Sequence, residues 1–340
     1  ATRATRQEKR TRGRGGAVAA SASRAPAPAL LQHSSRPAEA KEAGRPVALA
    51  TSGLQARSFS AHAALPLLSD GHHFRVVAAV GRQGSGKSTL LNGLFRTRFA
   101  TSAPLRHTPA TRGIQFAVGS IADRRTLVLD VEPLASIAIL AESRPEQGLS
   151  ARQVHELKAV KMLMWLFSVS QTVLVVDDAG AERTDVPRLV QLAEAMTVGL
   201  PCISAPKERR SATHFSAVVF AQSKAPPGAC PQAAHLAMRQ QLEARFRGTR
   251  VATREPLQHS SAVAVEAERR ETVSLFSLVE PHEEGESLDE VREELLALAQ
   301  PRFPRQLSEK EWLRNAADVW EAVHEAEVVR DLVAVWTAQG

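Results

Sequence analysis

Residues 74–88, FRVVAAVGRQGSGKS, decide the fold. The run from Phe74 to Val80 is almost continuously apolar, which is typical of a strand buried on both faces of a parallel sheet. The next eight residues fit the pattern G-x-x-x-x-G-K-[ST], in which backbone amides and the start of a helix bind phosphate. A helical pattern follows from Ser88 to Phe95. We therefore predict a nucleotide-phosphate site whose contacts come from Gly81, Gln83, Gly84, Ser85, Gly86, Lys87, Ser88 and Thr89.

The same loop predicts a Mg²⁺ site. Lys87 would neutralise phosphate charge, and the Ser88 hydroxyl would contact Mg²⁺. A carboxylate is needed at the end of a neighbouring strand, and Asp130 closes the apolar run TLVLD. The loop HTPATRG offers Thr111 or Thr108 as a second hydroxyl. The predicted metal set is Ser88, Asp130 and Thr111.

Strand and helix patterns alternate along the rest of the core. This alternation predicts an α/β fold of the P-loop, G-domain-like kind, with a doubly wound, mostly parallel sheet. The predicted organisation is a disordered basic tail (1–60), a nucleotide-binding domain (61–280) and a C-terminal helical extension (281–340), with order beginning at Phe74. Further strands are predicted at 114–118, 126–130, 172–177, 216–221 and 273–279, and helices at 153–167, 186–196 and 232–246.

Two sequence features argue against rapid hydrolysis and against guanine specificity. A hydrolysing G domain has D-x-x-G at the third strand, but here Pro133 stands at the glycine and Leu134 at the water-orienting glutamine. We predict no catalytic residue and little turnover, with Glu132 open as a substitute base. Lys224 could cover the base, but the acidic residue that recognises guanine is absent, so ATP and GTP/GDP both remain candidates with Mg²⁺.

Charge is unevenly distributed along the 340 residues. Residues 1–60 carry 11 Lys/Arg against 3 Asp/Glu, a net of +8, and residues 61–340 carry 32 against 33, a net of −1. A near-neutral folded part argues against sequence-specific nucleic-acid binding by the core. The Arg- and Ser-rich tail fits either plain disorder or an organelle transit peptide.

Cysteine usage and apolar runs bear on the compartment. Cys202 and Cys230 have no metal-ligand or disulfide-scaffold spacing, which favours a reducing compartment. The apolar runs are far shorter than the roughly 18–20 residues of a membrane helix. We therefore expect a soluble, cytoplasmic protein without membrane contact.

The last helix pattern carries an apolar stripe that includes Trp312, Trp320 and Trp336. Such a stripe is too aromatic to remain in water. It packs either on the protein's own sheet or against a partner, and the sequence leaves both open.

Several segments, taken together, resemble one family: the G-fold subunit of the kinase complex of nonsense-mediated mRNA decay, the ninth factor of the SMG set. The resemblance covers roughly residues 74–336. The DVEP segment and the tryptophan helix are more specific to this family than the phosphate loop, which many families share. The segments are VVAAVGRQGSGKSTLLNGLF (76–95), TRGI (111–114), LVLDVEPLAS (127–136), SVSQTVLVVDD (168–178), VVFAQSKA (218–225), RFRGT (245–249) and LSEKEWLRNAADVWEAV (307–323).

The resemblance implies a nucleotide-binding G-like domain without clear hydrolysis. It implies a heterodimer with a sibling G-fold subunit and docking on a large protein kinase related to phosphatidylinositol 3-kinases, whose activity is restrained. The family's loop contacts fall on Gly84, Gly86, Lys87, Ser88 and Thr89, whereas its Q-N-K-A stretch has Ser223 in place of asparagine.

Two other classes stay open on the residues alone. The phosphate loop and TRGI also suit an active dynamin-like or septin-like NTPase switch. A P-loop small-molecule kinase would need an Arg-rich lid, for which residues 207–210 (KERR) are the candidate. A short basic run of this kind is more typical of a solvated loop.

Overall fold

The structure is a computed structural model. It describes residues 44–51, 58–101, 108–177, 185–198, 200, 214–225, 231–252, 273–279, 286–297 and 301–338. Cys202, Cys230, residues 207–210 and the first 43 residues lie outside these ranges.

One sheet of seven strands organises the described chain. Its spatial order is β1-β3-β4-β2-β5-β6-β7, so the strand that leads into the phosphate loop lies at the centre. Strands β2, β4, β5, β6 and β7 are parallel, while β3 pairs antiparallel with β1 and β4. The strands are β1 Val47–Ala50, β2 Arg75–Gly81, β3 Ile114–Ile121, β4 Arg124–Val131, β5 Thr172–Asp177, β6 Ala217–Ala225 and β7 Ser274–Val279.

The mostly parallel, doubly wound sheet confirms the predicted fold class. Along the chain, β3 and β4 are added on one side of β2, and β5, β6 and β7 on the other. Such a change of side is where an open α/β sheet forms its ligand crevice. All six predicted strands are present, and β5 has its predicted bounds.

Ordered structure begins earlier than the sequence predicts. Strand β1 pairs with β3 through Val47 opposite Phe116, and Ser60 donates its amide to the Leu49 carbonyl. The prediction of disorder through residue 60, with order beginning at Phe74, is therefore wrong for residues 44–51. A four-residue edge strand gains its stability from pairing with a distant strand, which local composition does not reveal.

Helices cover both faces of the sheet. The apolar sides of α3, α4, α5 and α7 form one core with the sheet, and α1 and α6 pack on the opposite face. The helices are α1 Lys87–Phe95, α2 Ile137–Glu142, α3 Ala151–Val169, α4 Asp185–Met196, α5 Pro231–Phe246, α6 Glu286–Ala297, α7 Glu309–Glu325 and α8 Glu327–Ala338. Two covered faces explain why the parallel strands are apolar almost throughout.

The tryptophan stripe packs on the protein's own core. Trp312 and Trp320 are at most 1% exposed, and the Trp312 indole N–H donates to the Val169 carbonyl at 2.8 Å. Trp165 in α3 donates in the same way to the Ala316 carbonyl at 2.8 Å and meets Trp320 edge to face. The part of the apolar stripe in α7 therefore packs inside the protein and not against a partner. Trp336, in α8, is only half-buried.

Candidate nucleotide-binding site

The phosphate loop joins β2 to α1 and turns through two left-handed glycines. Gly84 and Gly86 have φ of 80° and 85°, and Gly86 is the residue that precedes the first turn of α1. A Cβ built on either glycine meets no atom within 4 Å, so the space above the loop is open. The first amides of a helix lack intrahelical partners, and they face this space together with the positive end of the helix.

The base of the loop is tightly fixed. A Cβ on Gly81 would lie 1.9 Å from the Val176 carbonyl oxygen in β5, so only glycine fits where the loop leaves the sheet. Lys87 is buried, and its Nζ donates to the Arg82 carbonyl at 2.8 Å, which holds the ammonium across the loop. Thr89, in the first turn of α1, is exposed.

Three oxygen-bearing side chains meet beside the loop. Asp130 Oδ2 accepts hydrogen bonds from Ser88 Oγ and from Thr111 Oγ1, both at 2.7 Å. The two hydroxyls are 3.4 Å apart. The structure thus brings Ser88, Asp130 and Thr111 together, whereas Thr108 is exposed.

The Asp130 carboxylate is buried, and its described hydrogen bonds all involve one of its two oxygens. Its side chain is 0% exposed, and Oδ1 has no hydrogen-bond partner among the described residues. Burial raises the pKa of Asp130, while the hydrogen bonds from Ser88 and Thr111 and the charge of Lys87 oppose that rise. A buried carboxylate oxygen without a partner, beside two hydroxyls, fits a hard cation such as Mg²⁺.

No three His, Cys, Asp or Glu side chains cluster as metal ligands in the part of the chain described. A Mg²⁺ ion held through one carboxylate and hydroxyls relies on phosphate oxygens and water for its remaining ligands. The cluster around Asp130 therefore offers a metal too few ligands of its own, and phosphate oxygens and water would have to supply the rest.

The segment after β4 is hydrogen-bonded to the phosphate loop. Leu134, which is 1% exposed, donates its amide to the Gly81 carbonyl at 2.9 Å, and the Gln83 amide donates to the Ala135 carbonyl at 3.3 Å. The Ser136 hydroxyl also donates to Gln83 Oε1, at 2.5 Å. Because Pro133 has no amide hydrogen and the Leu134 amide is engaged, this segment presents neither amide to a terminal phosphate.

Glu132 holds the threonine loop. Its carboxylate accepts the Gly113 amide at 2.8 Å, and its own amide donates to the Gly113 carbonyl at 2.7 Å. The side chain is only 3% exposed. This buried, reciprocal pairing fixes the position of Thr111 and does not favour Glu132 as a base for water.

At the end of β6, the residue in the asparagine position of the family's stretch contacts the loop. Ser223 Oγ donates to the Ser85 carbonyl at 2.6 Å. The hydroxyl thus links the strand that would lie beside the base to the phosphate loop. Lys224 lies in the same strand, with its side chain outside the described part.

Sequence reasoning missed the Ser223 link and the hydrogen bonds of Leu134 and Ser136 to the loop. A serine before the lysine signals only a possible donor. The amide bond of Leu134 has no sequence signal, since any residue other than proline can donate it.

No protein-family model matches the chain. The nonsense-mediated mRNA decay factor SMG9 of Xenopus laevis is 24% identical over 326 residues, which cover 79% of this chain and 63% of that protein. SMG9 of Xenopus tropicalis is 25% identical over the same shares. The chain is similar to SMG9. The resemblance found in the sequence is thereby confirmed, although the chain spans less than two thirds of these SMG9 proteins.

Other similarities are shorter or confined to the fold. Protein sey1 of Schizosaccharomyces japonicus is 45% identical over 62 residues, which are 18% of this chain and 8% of that protein. Among solved structures, Era in complex with MgGDPNP and a 16S ribosomal RNA segment has a TM-score of 0.41 and 17% identity. That match covers 70% of this chain and 60% of the Era chain. No helix in the described ranges combines the length and apolar character needed to span a membrane.

Proposed function

We propose that this chain is a nucleotide-binding regulatory subunit that holds Mg²⁺ and ATP or GTP/GDP with little turnover. It acts in nonsense-mediated mRNA decay, in the cytoplasm, where it pairs with a sibling G-fold subunit. The pair docks on a large protein kinase related to phosphatidylinositol 3-kinases and restrains its activity.

The open phosphate loop and the cluster around Asp130 support nucleotide binding. Loop amides and Lys87 would hold the phosphates, Ser88 and Thr111 would contact Mg²⁺, and Asp130 would hold it directly or through water. When bound, Mg²⁺ supplies positive charge that balances the phosphates. The chain's own residues orient the ligand and keep the carboxylate out of water.

The hydrogen bond from Leu134 to Gly81 is the observation that carries the proposal of little turnover. Orientation of the attacking water and an amide at the terminal phosphate are the protein's main contributions to this chemistry. Proline and a buried leucine at those positions supply neither. The nucleotide would then act as a structural ligand, because a ligand that binds only the folded state stabilises it by about 2.7 kcal/mol at a hundredfold excess over Kd.

Similarity to SMG9 over 79% of the chain supports the assignment to mRNA decay. The proposed binding to the kinase and to the sibling subunit rests on the family resemblance. Binding of nucleotide and binding of partners are therefore separate parts of the proposal.

An affinity purification of the full chain from native extract tests both parts. We expect a sibling G-fold subunit and a very large kinase in the eluate, with about one nucleotide per chain because the loop at residues 81–88 provides one phosphate site. Lys87→Ala should lose the nucleotide. Recovery of the chain alone with substoichiometric diphosphate would favour the alternative, an NTPase switch of the dynamin-like or septin-like kind.

A further inference from the structure

A second cleft lies at the end of the sheet remote from the phosphate loop. Strand β2 runs from Arg75 in this cleft to Gly81 at the loop, a separation of about 20 Å at the usual rise per residue. The cleft has a volume of about 500 Å³ and is lined by His72, His73, Phe74, Arg75, Asp123, Arg124 and Arg125.

Within the described ranges, two of the three arginines in the cleft form no salt bridge, although Asp123 also lines it. Arg125 is paired with the buried carboxylate of Glu309. Arg75 and Arg124 form no salt bridge with any residue that the structure describes, and neither does Asp123. Burial lowers the pKa of Arg75, and the neighbouring charge of Arg124 lowers it further.

The walls of the cleft are held in place from both sides. Glu309 at the start of α7 accepts the Ser69 amide at 2.7 Å, and Arg125 Nη2 donates to the Leu67 carbonyl at 2.8 Å. The turn between β3 and β4 has two residues, Ala122 and Asp123, both with positive φ. A turn of this kind fixes the register of the hairpin and therefore the position of the arginines that follow it.

We propose that this cleft binds an acidic segment of a partner polypeptide, with a carboxylate or phosphate group between Arg75 and Arg124. Guanidinium groups bind both anions through paired, charge-assisted hydrogen bonds. Phe74 and the two histidine rings provide apolar contact for the neighbouring residues of a peptide. RNA is disfavoured as the ligand, since residues 61–340 have a net charge of −1 and lack the excess of basic residues that binds a phosphate backbone.

Fluorescence anisotropy on the full chain tests this site. The probes are a labelled Ser/Gly peptide with four glutamates, the same peptide with phosphoserines at those positions, and the same peptide with glutamines. Labelled oligouridine is the fourth probe. We expect one or both acidic peptides to bind and the glutamine peptide not to bind. The comparison of glutamate with phosphoserine identifies the preferred anion.

A matched pair of double variants separates the cleft from the basic tail, which both variants keep. Arg75→Gln with Arg124→Gln should weaken acidic-peptide binding at least about tenfold, because two charge-assisted contacts are lost. Arg247→Gln with Arg330→Gln removes the same charge from exposed positions elsewhere and should leave the affinity unchanged.

Because Arg75 is partly buried, Arg124→Gln alone provides a second test at an exposed position and should weaken binding at least about threefold. Equal affinity in the two double variants would overturn the proposal. So would a loss confined to oligouridine, which would assign the cleft to RNA, or no saturable binding of either acidic peptide.

Discussion

Replacing Thr111 with valine tests whether the hydroxyl cluster is a metal site. The change keeps the branched shape of the side chain and removes the hydroxyl that donates to Asp130 at 2.7 Å. Thr111 is 6% exposed and Asp130 is 0% exposed, so water cannot easily replace the lost donor. After the change, Ser88 would be the remaining donor to a carboxylate whose other oxygen is already without a partner among the described residues.

The expected loss of stability follows from the burial of Thr111 and the charge of its acceptor, Asp130. A hydrogen bond to a charged group contributes about 1.5–3 kcal/mol, so Thr111→Val should lower the free energy of unfolding by about that amount. For a domain of this size the thermal midpoint should fall by about 3–12 °C. The loss of a direct Mg²⁺ ligand should also weaken Mg²⁺ affinity in the nucleotide complex at least about tenfold, as changes around metal sites commonly do.

The assay is denaturant unfolding without nucleotide, followed by titration of Mg²⁺ into the protein with a fluorescent nucleotide. Thr197→Val is the matched control. Its hydroxyl is also buried, but it donates at 2.5 Å to a neutral acceptor, the Ala193 carbonyl, which also receives the Thr197 amide. The control should cost about 1 kcal/mol or less and leave Mg²⁺ affinity unchanged.

Two results would refute the reasoning about the cluster. If Thr111→Val costs no more stability than Thr197→Val, the bond to the carboxylate has no special strength. If stability falls as expected but Mg²⁺ affinity does not change, Thr111 positions Asp130 and is not a metal ligand.

Three further predictions concern residues around the loop. Asp130→Asn should abolish Mg²⁺-dependent nucleotide binding. It should also flatten the pH dependence of the free energy of unfolding. A carboxyl whose pKa is raised in the folded protein stabilises the fold fully below its ordinary pKa of 3.8, and this stabilisation is lost as pH rises through the folded pKa. Gly81→Ala should prevent recovery of folded protein, because its Cβ would lie 1.9 Å from the Val176 oxygen, and soluble, cooperatively melting protein would contradict this. Burial lowers the pKa of His155, so its contribution to the free energy of unfolding should be present above pH 6.5 and should fall as pH drops below 6.5. In denaturant titrations, His155→Gln should reduce the slope of the free energy of unfolding against pH by up to about 1.4 kcal/mol per pH unit.

Local patterns were sufficient to predict the framework of the site. The strand at Phe74, the glycine spacing of the loop and the helix from Ser88 depend on short-range preferences that a single sequence displays. Asp130 was predictable in the same way, since a polar residue that follows an apolar strand pattern is expected near the carboxyl end of that strand, and Asp130 is the penultimate residue of β4.

Contacts made by backbone groups were not predictable. The amide bond from Leu134 to Gly81 depends on how the segment after β4 folds back, and the identity of residue 134 does not encode it. Helix α2 was likewise missed, although Ser136 accepts the Ile139 amide and so begins it, because six residues are too few to show a helical period.

The cleft around Arg75 and Arg124 was also missed. These residues are 49 positions apart, and they come near each other because β2 and β4 are parallel neighbours in which Arg75 pairs with Thr126, two residues after Arg124. Sequence analysis finds motifs that are continuous along the chain, whereas a site built from the starts of two strands becomes visible only with the register.

The most direct test of the central claim is a single-turnover experiment with the full chain in excess over radiolabelled ATP or GTP and with Mg²⁺ present. We predict that at least one nucleotide binds, that the bound triphosphate is recovered intact after prolonged incubation, and that Lys87→Ala abolishes the binding. Release of phosphate that requires the protein and disappears in Lys87→Ala would contradict the account and show that Pro133 and Leu134 do not prevent hydrolysis.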